Sequence, residues 1–376
     1  MLRFLTAGES HGPSLVAIVE GLPAGLEVDV EAIDRELARR QGGYGRGARM
    51  RIEQDRVEII GGVIGGRTTG APVALRIENR DWPNWRDGWA TGELPPLTVP
   101  RPGHADYAGM LKYGFDDARP ILERASARET AARVAVGALA KLLLSDCGIL
   151  IGSYVTEIGG VAAKVPDLPV SELWALAEAS DVRCPDAEAA VRMRTAIDQA
   201  RQAGDSLGGV FVVTATGVPV GLGSHVHWDR RLDARLAAAF VSIPAVKGVE
   251  IGPAFDNARL PGTCVHDEFV WAEGRVTRLS NRAGGIEGGM SNGQPIEVRA
   301  AMKPIPTTLK PLRSVDLATG AEAVTQYQRS DVCAVPAAAV VGEAMMAWVL
   351  AEALVEKYGG DSLSEMKRNM EGRGSG

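Results

Sequence analysis

The sequence of 376 residues has few cysteines, few aromatic side chains and no strong excess of either charge. No C-x-x-C pair or zinc-like spacing relates the cysteines, so we expect reduced thiols and no bound metal; they are Cys147, Cys184, Cys264 and Cys333. The net charge of -6 argues against a general nucleic-acid-binding surface, which needs a basic excess. The apolar share of 45% and the charged share of 23% are typical of a globular protein with a sizeable core.

Long hydrophobic runs are also scarce, which bears on where the protein works. The first residues lack the apolar stretch of a signal peptide, and no uncharged run reaches membrane-spanning length. The apolar segment that Pro336 opens comes nearest, but Glu343 interrupts it and Gly359 and Gly360 end it, so we expect a buried helix. We therefore predict a cytoplasmic protein with no membrane or nucleic-acid partner.

The pattern along the chain predicts one interwoven domain of helices and strands over residues 1–376, because no repeat, linker or composition break divides it. Strands are expected at 2–7, 14–20, 57–64, 72–77, 209–216, 267–272 and 295–301, and helices at 29–41, 120–146, 171–179, 185–203, 230–240 and from 336 onward. Residues 42–50 are rich in glycine and cationic, so we expect a mobile loop. Residues 80–103 lack a clear period and predict a long irregular loop, mobile over 82–98.

The stretch Gly8-Glu9-Ser10-His11-Gly12 fits the G-x-S-x-G elbow of α/β-hydrolases. In that fold several strands precede the serine and the histidine follows far downstream. Here one short strand precedes Ser10, and His11 is its direct neighbour. A tight turn that presents both side chains to a cleft explains the motif better. A serine hydrolase remains the alternative function, and a simple turn with an exposed histidine is the plainest interpretation.

Two further groups contain histidine. His104 follows a Pro-Gly turn, and Asp106 either orients its imidazole or forms a surface pair with it. His225 and His227 have the H-x-H spacing of metal ligands. No cysteine, histidine or acidic residue is spaced to complete that site, so we expect a structural or peripheral role and no metal.

Cations beside turns or on one helix face suggest anionic ligands. Arg124 and Arg128 are four residues apart on a predicted helix, so they share one face and need either solvent or an external anion. Lys303 lies in a stiff proline-rich loop that suits a phosphate. Arg329 and Asp331 precede the last long helix, either as an ion pair or as an anion clamp beside an acid–base group.

The ordered set of motifs resembles the chorismate synthase family. The motifs are AGESHG at 7–12, YGRGARM at 44–50, RPGHAD at 101–106, RASARETAARVA at 124–135, AVKGVEIG at 245–252, GGIEGGMSNGQP at 284–295 and QRSDVCAVPAA at 328–338. They occur in the family's order and cover nearly the whole chain. The resemblance implies an α+β sandwich, with a helical core between antiparallel sheets, and a homotetramer.

The resemblance also implies a reaction, the conversion of 5-enolpyruvylshikimate 3-phosphate to chorismate and phosphate in the shikimate pathway. This lyase step is an anti-1,4-elimination that needs reduced FMN without net redox change. Reduced flavin would come either from the chain itself with NADPH or from a separate flavin reductase. Two carboxylates and a phosphate on the substrate would explain clustered arginines in an acidic protein. A flavin-binding protein without catalysis is the plainer alternative.

Matching motifs assign roles to individual residues. His11 would be protonated near the leaving phosphate, His104 would donate a proton to the reduced flavin, and Asp331 would assist deprotonation at flavin N5. The implied substrate-binding residues are Ser10, Arg49, Arg128 and Arg329. The implied flavin contacts are Arg124, Ala125, Ser126, Pro244, Ala245, Gly288, Lys303, Pro304, Ile305, Pro306, Thr307 and Arg329. Two further positions match ones associated with a nicotinamide dinucleotide phosphate, although they could equally serve the flavin phosphate or the substrate; they are Arg40 and Arg46.

Overall fold

The computed structural model describes residues 1–47, 50, 52–272, 274–326 and 330–373. Its α-helices are Val30–Gln41, Arg86–Thr91, Asp106–Tyr113, Arg119–Ala125, Thr130–Asp146, Val170–Glu178, Ala187–Gln202, Leu232–Val241, Ala254–Asn257, Val335–Tyr358 and Leu363–Arg373. We call Val335–Tyr358 the core helix, Thr130–Asp146 the companion helix and Arg119–Ala125 the site helix. These three helices position most of the groups discussed below.

The strands form two main sheets, and neighbouring strands in both are antiparallel. The first sheet has the order Arg3–Ala7, Ser14–Glu20, Val73–Glu78, Val57–Gly61. The second sheet has the order Val246–Ile251, Ile296–Met302, Gly209–Thr216, Leu150–Ile158, Val161–Ala162. Short strand pairs are Val63–Ile64 with Arg67–Thr68, Phe269–Ala272 with Arg275–Arg278, Ile286–Glu287 with Met290–Ser291, and Arg313–Val315 with Glu322–Val324.

The core helix and the companion helix lie between the two sheets. In the first sheet Leu15, Ala17 and Val19 are buried at alternate positions, so one face of that sheet is turned to the core. The companion helix packs on three strands of the first sheet, the core helix packs on two strands of the second, and the two helices pack on each other. This arrangement confirms the α+β sandwich that the family resemblance implies.

The core helix is apolar along its whole length because the protein surrounds it. Among the described residues, this helix alone has the length and composition to cross a membrane, and 89% of its most apolar window is buried inside the protein. The buried helix predicted after Pro336 is therefore confirmed. Its one early acidic residue, Glu343, is fully buried among cations.

The segment 80–103 is more regular than the sequence suggests. A 3-10 turn at Trp82–Asn84 leads into the helix Arg86–Thr91, so the prediction of one long irregular loop is wrong there. The carboxylate of Asp81 accepts hydrogen bonds from Asn84 Nδ2 at 2.8 Å and Trp85 Nε1 at 3.2 Å, which stabilises this first turn. The mobility of 42–50 and 82–98 stays a prediction.

The helix predicted over 120–146 is two helices with a break between them. Ser126 has extended backbone angles, φ −64° and ψ 142°, and its Oγ accepts the N–H of Arg128, so it ends the site helix and caps the following turn. The expectation that Arg124 and Arg128 share one helix face is therefore wrong. Because of this break, the two arginine side chains contact different parts of the site.

Gly137 allows the companion helix to touch the core helix backbone to backbone. A Cβ atom built on Gly137 would lie 2.3 Å from the Cβ of Ala344 and 2.5 Å from its Cα. We expect Gly137→Ala to lower the free energy of unfolding by about 1–3 kcal/mol, despite the higher helix propensity of alanine, because the helices must separate. Urea unfolding measures this change.

The matched control is Gly372→Ala, also within a helix, where nothing lies within 4 Å of the built Cβ. That variant should be neutral or more stable by up to about 1 kcal/mol. Equal stability of Gly137→Ala and the wild type would contradict the close approach of the two helices.

Candidate active site

The turn between the first two strands presents Ser10 and His11, as the Gly-bounded motif predicts. Gly8 has φ 107°, and a Cβ built on it would lie 2.4 Å from the carbonyl oxygen of Ser14, so the turn needs glycine. Asn79 Nδ2 donates to two carbonyl oxygens of the turn at 3.0 and 2.7 Å. The backbone N–H of Ser10 donates to the carbonyl oxygen of Glu123 at 3.0 Å. The first sheet and the site helix thus fix the turn together.

His11 is bound to a buried carboxylate on the site helix. Its Nδ1 lies 2.8 Å from Oε1 and 3.1 Å from Oε2 of Glu123, and its backbone N–H donates to the same Oε2 at 2.8 Å. The indole ring of Trp85 covers the imidazole, with ring centroids 4.2 Å apart and planes tilted by 34°. The histidine is therefore held from two sides at the edge of a cleft.

This geometry does not favour the serine-hydrolase alternative. A nucleophile elbow is a strand–turn–helix, whereas Ser10 lies in the turn of an antiparallel strand pair. Ser10 Oγ accepts a hydrogen bond from Ser126 Oγ at 3.1 Å, and the imidazole of His11 is bound to Glu123.

Buried arginines lie next to this turn, around a shared carboxylate. Arg128 Nη1 contacts both oxygens of Asp55 at 2.6 and 2.7 Å, and Arg40 Nη2 contacts Asp55 at 3.1 Å. Burial lowers the pKa of Arg40 to about 10; Asp55 opposes this effect, while Arg128 and Arg46 add to it. The sequence suggests that Arg128 needs either solvent or an external anion. This expectation is incomplete, because two carboxylates of the protein, Asp55 and Glu53, already pair with its guanidinium group.

Arg46 and Asp331 meet from distant parts of the chain. Arg46 Nη1 donates to Asp331 Oδ2 at 2.6 Å, and the backbone N–H of Gly47 donates to Oδ1 at 2.6 Å. Among the described residues, the Nε atoms of Arg46 and Arg40 are buried without a hydrogen-bond partner, which suits donors that await an anion. The predicted site residues Arg49 and Arg329 lie outside the described residues.

His104 is also bound to a buried carboxylate, that of Asp106. Their contact joins Nδ1 to Oδ1, so the interpretation of Asp106 as an orienting group is favoured over a surface pair. Arg101 Nε donates to the other oxygen of Asp106 at 2.8 Å, and Arg101 Nη1 donates to Thr307 Oγ1 at 3.2 Å. Burial would raise the pKa of Asp106, but the hydrogen bonds from His104 and Arg101 outweigh it and hold the pKa well below its ordinary value.

The proline-rich loop over 303–307 packs against the His104 turn. Lys303 Nζ donates to the carbonyl oxygen of Gly103 at 3.0 Å, and the Lys303 backbone N–H donates to Ala245 at 2.9 Å. Burial, assisted by Lys247, lowers the pKa of Lys303. Ala245, which follows Pro244, is held at φ 69°, a strained conformation for a residue with a Cβ.

Other residues of this loop are anchored to its surroundings. The carbonyl oxygen of Ile305, between Pro304 and Pro306, accepts a hydrogen bond from Ser206 Oγ at 2.7 Å. Gly103 lies next to Pro306, since a Cβ built on the glycine would be 3.6 Å from the Cβ of the proline. The loop and the His104 turn therefore form one surface.

The site helix contacts both histidine sites. Its Leu122 lines a small cavity of about 60 Å³ together with Arg101 and Asp106, while the adjacent Glu123 binds His11. Arg124, near its end, donates to backbone oxygens of the Ser10 turn and its strand at 2.9 and 3.2 Å, and Ala125 is its last residue. Both imidazoles are therefore connected through one helix.

Gly288, an implied flavin contact, lies in a turn that packs near the start of the helix Leu232–Val241. Gly288 lies in the turn between Ile286–Glu287 and Met290–Ser291. The neighbours of that turn are Gly223, which bridges to Met290, and Leu232, whose N–H donates to Gly289. The role of Gly288 as a flavin contact stays a prediction.

Sequence reasoning missed several buried polar residues that hold this site. Glu123, Asp55 and Asn79 are each separated from their partners by long stretches of chain, and no local motif pairs them. Trp85 falls in the segment for which the sequence predicts an irregular loop, so the sequence gives no reason to expect its ring over His11. For Asp106 the H-x-D spacing was a signal, and the structure bears it out.

The chain is similar to proteins named chorismate synthase along nearly its whole length. The profile of the family described as chorismate synthase matches residues 2–355. Chorismate synthase of Desulforudis audaxviator (strain MP104C) is 59% identical in an alignment of 375 positions that covers 98% of this chain and 96% of that protein. The Symbiobacterium thermophilum protein of that name is 57% identical in an alignment of 383 positions that covers 99% of this chain and 98% of its own. A crystal structure of chorismate synthase superimposes with a TM-score of 0.80 at 46% identity, covering 99% of this chain and 97% of that one.

Proposed function

This chain belongs to the chorismate synthase family of lyases, and from that membership we propose that it eliminates phosphate from 5-enolpyruvylshikimate 3-phosphate in 1,4 fashion. The product is chorismate, and the reaction needs reduced FMN without net redox change. The lyase activity and its place in aromatic biosynthesis follow from the family. The flavin dependence and the residue roles are the finer proposal.

The observation that carries this proposal is a pair of imidazoles bound to buried carboxylates, His11 to Glu123 and His104 to Asp106, with buried arginines next to the first. Such a site can hold a polyanion and supply protons near neutral pH. The substrate carries two carboxylates and a phosphate of about -1.5 to -2 charge. Arginine is the side chain best suited to bind such groups in a bidentate manner.

Residues around the Ser10 turn are proposed to bind the substrate. Ser10, Arg128 and the two arginines outside the described residues, Arg49 and Arg329, are proposed to grip the carboxylates and the phosphate. His11, in its protonated form, gives a proton to the leaving phosphate from the ring nitrogen opposite Glu123. Trp85 excludes water from this imidazole.

Residues near the 303–307 loop fit a bound flavin. The ammonium of Lys303, the hydroxyl groups of Ser126 and Thr307, and the strained backbone at Ala245 offer donors and a shaped wall. Reduced flavin, when bound, supplies the electron density that helps to expel phosphate and takes up hydrogen. His104 holds a proton on this side, and Asp331, fixed by Arg46, is a proton acceptor.

Three further assignments concern a second nucleotide ligand, the oligomeric state and the cellular location. Arg40 and Arg46 are proposed to meet a nicotinamide dinucleotide phosphate, which their unpartnered Nε atoms support. We also propose a homotetramer of single-domain subunits, which exposed apolar side chains such as Leu5 and Trp271 suit. A cytoplasmic location agrees with four unpaired cysteines.

The test is an anaerobic assay of purified protein with substrate and chemically reduced FMN. We expect release of phosphate and formation of chorismate, and none with oxidised FMN. Absence of product under reducing conditions would reject the proposal. Bound flavin without phosphate release would favour the non-catalytic alternative, and labelling of Ser10 by a fluorophosphonate would favour the hydrolase.

A further inference from the structure

We infer that Glu123 is a positioning residue that fixes the tautomer of His11, so that Nδ1 carries the hydrogen and Nε2 acts on the ligand. The importance of this tautomer for turnover rests on the proposed function. The tautomer itself follows from the contacts of the two side chains and can be measured without any substrate.

The contact geometry allows one direction for the hydrogen bond. A carboxylate accepts hydrogen bonds and donates none, and Glu123 lies 2.8 Å from Nδ1 of His11. Nδ1 must therefore be the protonated nitrogen when the ring is neutral. The second ring nitrogen, Nε2, then carries a proton only in the imidazolium form, which is the form that can act as a general acid.

The carboxylate cannot easily turn away from this contact. Glu123 is 2% exposed, and its Oε2 also accepts the backbone N–H of His11 at 2.8 Å. The carbonyl oxygen of Glu123 accepts the N–H of Ser10 at 3.0 Å, so one residue of the site helix binds two neighbouring residues of the turn. Trp85 covers the ring from a further side. Rotation of the imidazole would break several of these contacts at once.

His104 offers an internal comparison within the same protein. Its Nδ1 contacts Asp106, but that carboxylate is shared with Arg101 at 2.8 Å. The hydrogen bonds to the Glu123 carboxylate from the described residues come from His11. A change at Glu123 should therefore alter the resonances of His11 and leave those of His104 unchanged.

Glu123→Gln is the sharpest variant because it keeps the shape and removes one acceptor. The backbone N–H of His11 needs an acceptor at the Oε2 position, so the amide oxygen should occupy that place. The amide nitrogen, a donor, then replaces the oxygen 2.8 Å from Nδ1. Since two donors cannot face each other, Nδ1 must become an acceptor, and the tautomer should reverse to Nε2–H.

The experiment is a long-range ¹H–¹⁵N spectrum of the full chain labelled at histidine, of which it has five. It is recorded at a pH where the rings are neutral, with His11→Asn for assignment. We expect Nδ1–H for His11 in the wild type, Nε2–H in Glu123→Gln, and one unchanged tautomer for His104. An Nε2–H tautomer in the wild type overturns the inference, and this arm needs no variant to fold. An unchanged tautomer in folded Glu123→Gln overturns it as well.

Kinetics add a readout that a purely structural role would not move. With reduced FMN and substrate, Glu123→Gln should lose about 10- to 100-fold in kcat, the usual effect of removing an orienting partner, with KM within about twofold. A reversed tautomer with unchanged kcat overturns the positioning role. A wild-type protein without any turnover would instead reject the proposed function, and the spectrum would still decide the tautomer.

Discussion

Glu343→Gln is expected to lower the free energy of unfolding by about 3–5 kcal/mol, because it removes the fully buried carboxylate that Arg39, Lys141 and Arg183 share. Glu343 lies in the core helix and is fully buried. Its carboxylate accepts from Arg39 at 2.7 and 2.9 Å, Lys141 at 2.5 Å, Arg183 at 3.1 Å and Ser153 Oγ at 2.5 Å. Arg39 comes from the helix Val30–Gln41, Lys141 from the companion helix and Ser153 from the second sheet, so this one carboxylate connects several elements.

The pH dependence of this effect has a definite sign. Burial would raise the pKa of Glu343, but Lys141, Arg39 and Arg183 outweigh it and hold the pKa far below the ordinary value of 4.5. A carboxyl group with a lowered folded-state pKa contributes stability that is present above its unfolded pKa and is lost as pH falls through the folded value. The gap between wild type and variant should therefore be constant between about pH 7 and 5 and shrink in more acidic solution.

Urea unfolding of both proteins at several pH values measures the gap. The matched control is Glu356→Gln on the same helix, where the carboxylate is exposed and pairs with Arg230 and Arg235 at 3.1 Å. That change should cost less than about 1 kcal/mol. If Glu343→Gln and Glu356→Gln were equally stable, the buried contacts of Glu343 would not stabilise the packing of the helices on the second sheet.

The elements that sequence could predict are those whose pattern is local. Strands 14–20 and 209–216 agree with the observed Ser14–Glu20 and Gly209–Thr216, because an unbroken run of β-branched and apolar residues is itself the signal. Leu150–Ile158 was not predicted. This strand contains Gly152, and a Cβ atom built there would lie 2.4 Å from the ring of Trp174. Glycine is usually unfavourable in a strand, but here the missing side chain leaves room for a tryptophan of a neighbouring helix.

The same limit applies to helix boundaries. Residues 120–146 have good helix formers throughout, and nothing in their spacing ends the helix at Ser126. The break follows from tertiary contacts, since Ser126 Oγ donates to Ser10 Oγ and accepts the N–H of Arg128. A residue that serves two distant partners cannot be recognised from its neighbours in the sequence.

The site was predictable as a set of motifs but not as a set of contacts. The motifs named His11, His104 and Asp331, and the structure places each against a charged partner. Of those partners, Asp106 lies two residues from its histidine, whereas Glu123 lies 112 residues from His11. Local spacing can suggest the first pair, and the fold alone brings together the second.

Replacing either imidazole should reduce turnover far more than stability. We expect His11→Ala and His104→Ala each to lower kcat by about 10²- to 10⁴-fold, the range for loss of a general acid. Folding should persist, since Asp106 keeps Arg101 and Glu123 keeps the backbone N–H of residue 11. Phosphate release with reduced FMN gives kcat, and urea unfolding gives stability.

His227→Ala is the matched control for this prediction. His227 Nδ1 contacts Asp229 at 2.7 Å with the same H-x-D spacing as His104, but its side chain is 60% exposed, just before the 3-10 turn Trp228–Arg230. Its turnover should equal that of the wild type, because an exposed pair of this kind meets neither substrate nor flavin. Wild-type turnover in His11→Ala and His104→Ala would contradict their roles, whereas a matching loss in His227→Ala would show that the losses arise from something other than proton transfer at the site.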